Sequence, residues 1–393
     1  MANLTILPSV ILEEILALLP SKSILRFRQV SKSWSSFLVS SEFQKLRTNK
    51  STPPQTNLQK ILKCSAVNDG YVIESLGCLG GGEDPVRLCF PTEKYMRLLG
   101  SCNGLVCVAV RHNPSGVDQI VIWNPFTGIY RKLQDICIKN RKRKLQDIDD
   151  RRICAYGFGY DSAADDYKVF IATKPAKVEI FSLKTGFWKE VETTDPGKDL
   201  EYIPEGHEVG LFLKGALHWH VLIGGRTKII AFDLAKEKFY DVPMPVVEEE
   251  HSDEVEFRGL GVVGVYLCLN MALKRYDDVG AVCVMKEYCN AESWAHFIYY
   301  TSLTWVNGYA HPTLDFKPQA VKDGGYILIL QLSGEVQHIL KWDDNLDESD
   351  AFDDVLQNLK HIRKKSPKYQ MAMPYIEALT SPYPSLELKQ LEL

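Results

Sequence analysis

His218 and His220 alternate along an apolar segment and would point from one face of a strand, since strand side chains repeat every second residue. Two histidines on one face can begin a metal site, but zinc sites take three or four protein ligands and no third donor stands close by. The pair therefore reads as core or rim packing. Asp165-Asp166 and Asp343-Asp344 could supply the two carboxylates of a hydrolase, yet both lie in turn-like sequence, where Asp bonds its own backbone. Gly80-Gly81-Gly82 runs into Glu83-Asp84, not into the Lys-Ser and helix start that a phosphate cradle needs. Ten cysteines are scattered through the chain, without a CxxC pair. Cys102, Cys107, Cys268 and Cys283 lie in or beside apolar strands, so the thiols read as small buried hydrophobes in a cytosolic or nuclear compartment. No catalytic residue, metal or cofactor is assigned.

Charge is patterned more informatively than chemistry. Net charge is −4, which argues against a general nucleic-acid binder with a basic face. No run of 18 apolar residues exists, so no transmembrane helix or membrane partner is expected, and no secretory leader is visible at the N-terminus. One basic run stands out, Lys139-Asn140-Arg141-Lys142-Arg143-Lys144, with Arg151-Arg152 close behind. A nuclear signal or an acidic-partner patch competes here with a plain solvated loop. The loop reading is helped by Arg131–Ile136 recurring as Arg143–Ile148, a local duplication of the kind exposed loops accept. Glu248, Glu249 and Glu250 open an acidic stretch that runs to Glu254. Loops of opposite sign could select a partner electrostatically.

These segments need a scaffold, and the apolar pattern supplies one. Trp123, Phe181, Phe232, Met285 and Leu340 stand 58, 51, 53 and 55 residues apart, each at the end of an apolar strand followed by a turn. A Gly-flanked apolar strand precedes each unit. A period near 50 residues with about four short strands per unit is the mark of a kelch-like propeller blade. About six blades are expected, with seven open and a β-sandwich as the alternative. The segments between Lys60 and Leu98 belong to the sixth unit, and a late strand near Tyr375–Leu379 closes the ring. Trp123, Phe181, Trp188, Trp219 and Phe232 are expected to be buried blade-core residues. Target choice is assigned to the long polar stretches 134–152, 193–208 and 246–258, with Arg141, Lys142, Arg143, Lys144, Glu248, Glu249 and Glu250 as candidate contacts.

The first 47 residues follow a different rule. Val10, Ile11, Ile15, Leu16, Leu18 and Leu19 recur near helical spacing until Pro20 stops the helix. Ile24, Leu25, Phe27, Val30, Trp34, Phe37 and Leu38 form a second apolar set. A hairpin this small cannot bury both faces within itself, and an apolar face left over is a docking surface. The polar stretch from Arg47 to Asn57, with Pro53-Pro54, reads as a linker. The fold class is α+β multidomain: a helical module at 1–47, a linker at 48–57 and an all-β propeller at 58–393.

Both parts resemble a known family. Leu7-Pro8, Ile15-Leu16, Leu19-Pro20, Ile24, Arg26-Phe27 and Val30-Ser31-Lys32-Ser33-Trp34 resemble the F-box motif in its plant form. Leu99-Gly100-Ser101-Cys102-Asn103-Gly104-Leu105, Trp123-Asn124-Pro125-Phe126-Thr127 and Tyr156-Gly157-Phe158-Gly159-Tyr160-Asp161 with Asp166-Tyr167-Lys168-Val169 resemble boxes of the F-box-associated domain of plant F-box proteins, including S-locus and kelch-repeat types. Tyr375–Pro382 is similar to that domain's closing motif. The resemblance implies docking on the Skp adaptor, and through it a cullin, by Leu7, Pro8, Ile11, Ile15, Leu19, Pro20, Ile24, Val30 and Trp34. It implies a non-catalytic receptor subunit of an SCF-type ubiquitin ligase, in the cytoplasm and also the nucleus, whose propeller captures a target protein of unknown identity. The alternatives are a propeller scaffold outside ubiquitin transfer and a propeller enzyme.

Overall fold

The computed structural model describes residues 9–46, 59–111, 119–133, 153–246, 255–301, 315–342 and 371–383, apart from short stretches within those spans. The chain begins with three short helices, α1 (Ser9–Leu18), α2 (Ser21–Phe27) and α3 (Lys32–Leu38). None is long enough to persist alone in water. They hold because Leu16, Ala17, Ile24, Leu38 and Phe43 bury one another in a common core, with Leu12, Leu19, Phe27, Trp34 and Phe37 packed around it. Ser31 caps α3, its Oγ accepting from Trp34 N at 3.1 Å, which satisfies one of the free N–H groups of the first turn. The linker assigned to 48–57 lies outside the described residues.

From residue 59 onward the chain is β. β1 (Gln59–Val67), β2 (Gly70–Gly77) and β3 (Val86–Leu88) form an antiparallel meander. β4 (Tyr95–Cys102), β5 (Leu105–Arg111), β6 (Gln119–Trp123) and β7 (Tyr130–Lys132) form a four-stranded sheet in chain order. So do β8 (Ile153–Asp161), β9 (Asp166–Thr173), β10 (Lys177–Ser182) and β11 (Trp188–Val191), and again β12 (Leu211–Leu213), β13 (Ala216–Ile223), β14 (Arg226–Asp233) and β15 (Lys238–Val242). The next strands are β16 (Val255–Val263), β17 (Tyr266–Leu273), β18 (Tyr276–Met285) and β19 (Trp294–Thr301), then β20 (Asp315–Ala320), β21 (Tyr326–Leu332) and β22 (Glu335–Trp342). They share one sheet of seven, joined by a single parallel pairing of Val262 with Gln319. β23 (Met371–Ile376) returns to pair with β1, so the first sheet becomes β23-β1-β2-β3 and the two ends of the β region are zipped together. Tyr375 locks this closure through a 2.7 Å bond between its hydroxyl and Ser75 Oγ.

The hydrophobic cores lie between consecutive sheets. Leu62, Met96, Val108 and Trp123 join the first sheet to the second; Leu99, Ile122, Phe158 and Phe181 join the second to the third. Phe170, Trp219 and Phe232 join the third to the fourth, and Ile229, Leu260, Leu269 and Met285 join the fourth to the strands beyond. This is the packing of a β-propeller, and it displaces the β-sandwich alternative, in which two sheets would share one core. The residues just ahead of β12 come close enough to bond β8 directly: Gly210 N donates to Tyr156 O and Tyr156 N to Glu208 O, both at 2.7 Å. Gly210 also leaves room for Trp219 of β13, whose ring a Cβ there would meet at 2.5 Å.

The aromatic period coincides with the sheets. Trp123, Phe181, Phe232, Met285 and Leu340 all lie on the third strand of their unit, and Trp123, Phe181, Phe232 and Trp219 are buried. Trp188 corrects the expectation for it. It begins an outer strand, is only half-buried, and meets Phe181 edge-on at 5.2 Å between ring centres. Among the described cysteines six are buried free thiols, as hydrophobes should be, but Cys289 is exposed.

Candidate functional site

The helical module divides its apolar residues between two faces. Leu16, Ala17, Ile24 and Leu38 are turned inward, whereas Val10, Ile11, Ile15 and Leu18 of α1 are 64, 46, 45 and 70 % exposed and Val30 of the α2–α3 turn is 62 % exposed. Ile11, Ile15 and Leu18 follow the i, i+4, i+7 spacing of one helical stripe. Of the residues expected to dock a partner, Ile11, Ile15 and Val30 are exposed, and Leu19 and Trp34 are half-buried against the module core. Ile24 is fully buried, so its part in docking is to hold the module together from within. Leu7, Pro8 and Pro20 lie outside the described residues. Val10 and Leu18 were not among the expected contacts. The signal for Leu18 was its place on the same stripe.

Strand direction fixes where everything else goes. In each four-stranded sheet the turn from the first to the second strand and the turn from the third to the fourth emerge at one end; crossings to the next sheet leave from the other. The β6–β7 turn, residues 124–129, lies at the first end, and its Phe126 packs against the core of the helical module. The strand ends that flank 134–152, 193–208 and 246–258 lie at the opposite end, and residues 255–258 of the last stretch are already part of β16. The contact with the module and the strand ends that flank the stretches assigned to target choice thus lie at opposite ends of the sheets.

Arg141, Lys142, Arg143, Lys144, Glu248, Glu249 and Glu250 lie outside the described residues. The crossing 193–208 is partly a structural element. It contains a 3-10 helix, Gly197–Tyr202, whose Leu200 is fully buried in the core between the third and fourth sheets. What this end does present is Tyr202, Leu222 and Val246, three exposed apolar side chains, beside an ion pair of Lys228 with Asp199 at 3.5 Å. Leu222 and Tyr202 gave no advance sign in sequence, because one ends a strand and the other ends a helical turn, and nothing in their neighbours separates them from core residues.

Of the polar groups considered for chemistry, His218 links two blades and Asp166 braces a turn of its own sheet, while Asp343 and Asp344 lie outside the described residues. His218 is buried; one ring nitrogen stands 3.1 Å from Leu211 O and the other 2.6 Å from the Tyr288 hydroxyl, which is 2.6 Å from the Tyr240 hydroxyl. Burial pushes the imidazole pKa down to about 4, outweighing the backbone bonds that favour the charged form, so the ring is neutral. His220 is buried as well, on the same strand face. Asp166 is buried and accepts from Lys184 N at 2.8 Å and from the Ser182 hydroxyl. Lys168 is buried too, donating to Leu234 O at 2.6 Å and pairing with Asp161 at 2.9 Å and Glu237 at 3.3 Å. Among the described residues no three His, Cys, Asp or Glu side chains gather as metal ligands, and no helix is long and apolar enough to cross a membrane.

Known proteins share this arrangement. The F-box associated beta propeller domain family matches residues 87–311, and the F-box domain family matches residues 4–46. An F-box/kelch-repeat protein of Arabidopsis thaliana is 26% identical over 358 residues, covering 84% of this chain and 86% of its own length. The F-box protein CPR1 of Arabidopsis thaliana is 26% identical over 363 residues, covering 85% of this chain and 79% of its own length.

Proposed function

The chain belongs to the F-box associated beta propeller domain family, with an F-box domain ahead of the propeller, and from that premise we propose that it is the target-recognising subunit of an SCF-type ubiquitin ligase. The helical module docks on a Skp adaptor and through it a cullin. The far end of the propeller captures a target protein. The receptor carries out no bond chemistry; it holds the target's lysines near a charged ubiquitin-conjugating enzyme and so raises their effective concentration. In this reading the domain limits are 1–47, 48–57 and 58–393. The seven-stranded sheet counts as two blades linked through Val262 and Gln319, which makes six.

The observation that carries the proposal is the uncovered stripe of α1 over a complete core. A helix that needed those residues for its own fold would have buried them. Burying a fully exposed Ile or Leu on a partner is worth about 1.5–3 kcal/mol. The Ile15→Glu, Leu18→Glu double variant should therefore lose adaptor co-purification while keeping its melting temperature. A double variant that still co-purifies at wild-type level would remove the docking assignment. Loss of adaptor binding by the wild-type chain itself would favour a scaffold outside ubiquitin transfer.

A further inference from the structure

The turn that receives Phe126 repeats across blades, and the comparison isolates one surplus group. The residue after the buried aromatic of the third strand (Trp123, Phe181 or Phe232) is Asn124, Ser182 and Asp233 in three consecutive sheets. In each case its side-chain oxygen accepts from the backbone N–H three residues on, at Thr127, Thr185 and Lys236, at 3.0, 3.0 and 2.8 Å. The turn thus requires an acceptor, which Ser or Asp supplies as well as Asn. Only Asn124 also carries an NH2, and it is fully buried. That NH2 donates to Ala378 O and Thr380 O, both at 2.8 Å.

The segment it holds, residues 378–383, is tied down along its length. Thr380 Oγ1 donates to Asn103 O at 2.7 Å, and the Tyr383 hydroxyl to Tyr130 O at 3.1 Å. The Arg131 guanidinium donates to Leu183 O at 2.8 Å and lies 5.4 Å from the centre of the Tyr383 ring. Two residues from Asn124, Phe126 rests on the core formed by Leu16, Ala17, Ile24, Leu38 and Phe43. The helical module and the C-terminal residues Ala378 and Thr380 therefore meet on one turn.

We propose that Asn124 is a positioning residue: through its NH2 the C-terminal segment 378–383 stiffens the β6–β7 turn, and the turn holds the helical module in one orientation on the propeller. The consequence for ubiquitin transfer rests on the receptor reading above. Transfer by proximity needs a fixed separation between the adaptor end and the target end, and a module free to swing would spread the lysines it reaches.

The test compares full-length wild type, Asn124→Asp and Phe126→Ala. Asn124→Asp keeps the acceptor that Asp233 uses in its own turn but cannot donate to Ala378 O and Thr380 O; Phe126→Ala removes the contact with the module directly. Hydrogen exchange should show amides around Leu16, Ala17 and Leu38 exchanging about tenfold faster in both variants, with β5 and β9 as protected as in wild type. In a reconstituted ligase, self-ubiquitination of the chain should then spread over more of its lysines at unchanged adaptor affinity. Wild-type protection of the module in Asn124→Asp overturns the inference. So does loss of protection in β5 and β9 together with the module, which would make Asn124 a fold residue only. If the wild-type chain captures no adaptor, the receptor reading fails while the exchange result still decides the role of Asn124.

Discussion

Lys168→Met tests whether buried polar ties, and not only aromatic cores, hold neighbouring blades together. Lys168 belongs to β9, but its Nζ reaches the turn of the next sheet, where it bonds Leu234 O at 2.6 Å and pairs with Glu237 at 3.3 Å. In its own sheet it pairs with Asp161 at 2.9 Å. Methionine fills much of the space of the lysine stem but supplies no donor. Asp161 would then keep only the N–H groups of Ala163 and Ala164, at 3.0 and 3.2 Å, and Leu234 O would lose its ammonium. Removing one partner of a buried ion pair costs about 3–5 kcal/mol. The loss is softened because Glu237 retains Lys189 at 2.6 Å. The net expectation is about 3 kcal/mol, or a fall in melting temperature of roughly 4 °C for a β region that runs from Gln59 to Ile376. Thermal and guanidinium unfolding followed by tryptophan fluorescence would measure it. Adding Asp161→Asn removes the orphaned charge and should restore at least half of the loss. A single variant within about 0.5 kcal/mol of wild type, or a double variant whose losses simply add, would refute the tie. Asp161 adds a pH signature. Burial would raise its pKa, but Lys168 and the Ala163 and Ala164 N–H groups together hold it below the usual carboxylate range, so its contribution is present at neutral pH and lost on acidification.

His218 gives a second pH effect of the same sign. Burial lowers its pKa to about 4, so between about pH 4 and 6.5 the unfolded chain binds the extra proton, and stability should fall by up to about 3 kcal/mol as pH drops through that window. A denaturation series on wild type and His218→Asn checks this, and equal slopes would exclude His218 as the source. Trp123→Ala should cost about 3–5 kcal/mol, whereas Trp188→Ala, half-buried on an outer strand, should cost less than half as much; equal losses in differential scanning calorimetry would contradict the burial difference. Ile24→Ala should unfold the helical module and abolish adaptor capture together, while Ile11→Ala should weaken capture about fivefold with the module's circular dichroism intact.

What sequence reading recovered was whatever repeats in kind. Trp123, Phe181 and Phe232 are bulky, apolar and evenly spaced, so their common place on third strands is visible without coordinates. The α1 stripe was visible for the same reason. What repeats in position but not in kind stayed hidden. The registers Cys102↔Leu105, Asp161↔Asp166, Leu213↔Ala216 and Val263↔Tyr266 start four second strands, and two residues further along each stand Cys107, Lys168, His218 and Cys268. All four are buried, yet a thiol, an ammonium, an imidazole and another thiol form no pattern in a sequence. The burial of Trp188 was misread because an aromatic at a strand start looks the same whether its strand is inner or outer.

The same distinction explains why the closing strand near Tyr375 was expected but its tie to Asn124 was not. In sequence, Trp123-Asn124-Pro125-Phe126-Thr127 and Tyr375–Pro382 are two boxes more than 250 residues apart, each with a sufficient local explanation: a turn in one, a closing strand in the other. Only β23 pairing with β1 brings the second box past the second sheet, and only then does the Asn124 NH2 meet the carbonyls of Ala378 and Thr380. If Asn124 positions the module as proposed, ring closure and module placement are one event. A chain that failed to dock β23 would lose an inner strand and the brace under Phe126 together. On the receptor proposal, such a chain would present the exposed α1 stripe without a fixed direction for the opposite end of the propeller. On the receptor proposal, closure of the propeller by β23 would also orient the module, so the geometry that makes transfer efficient would be completed only when β23 has docked.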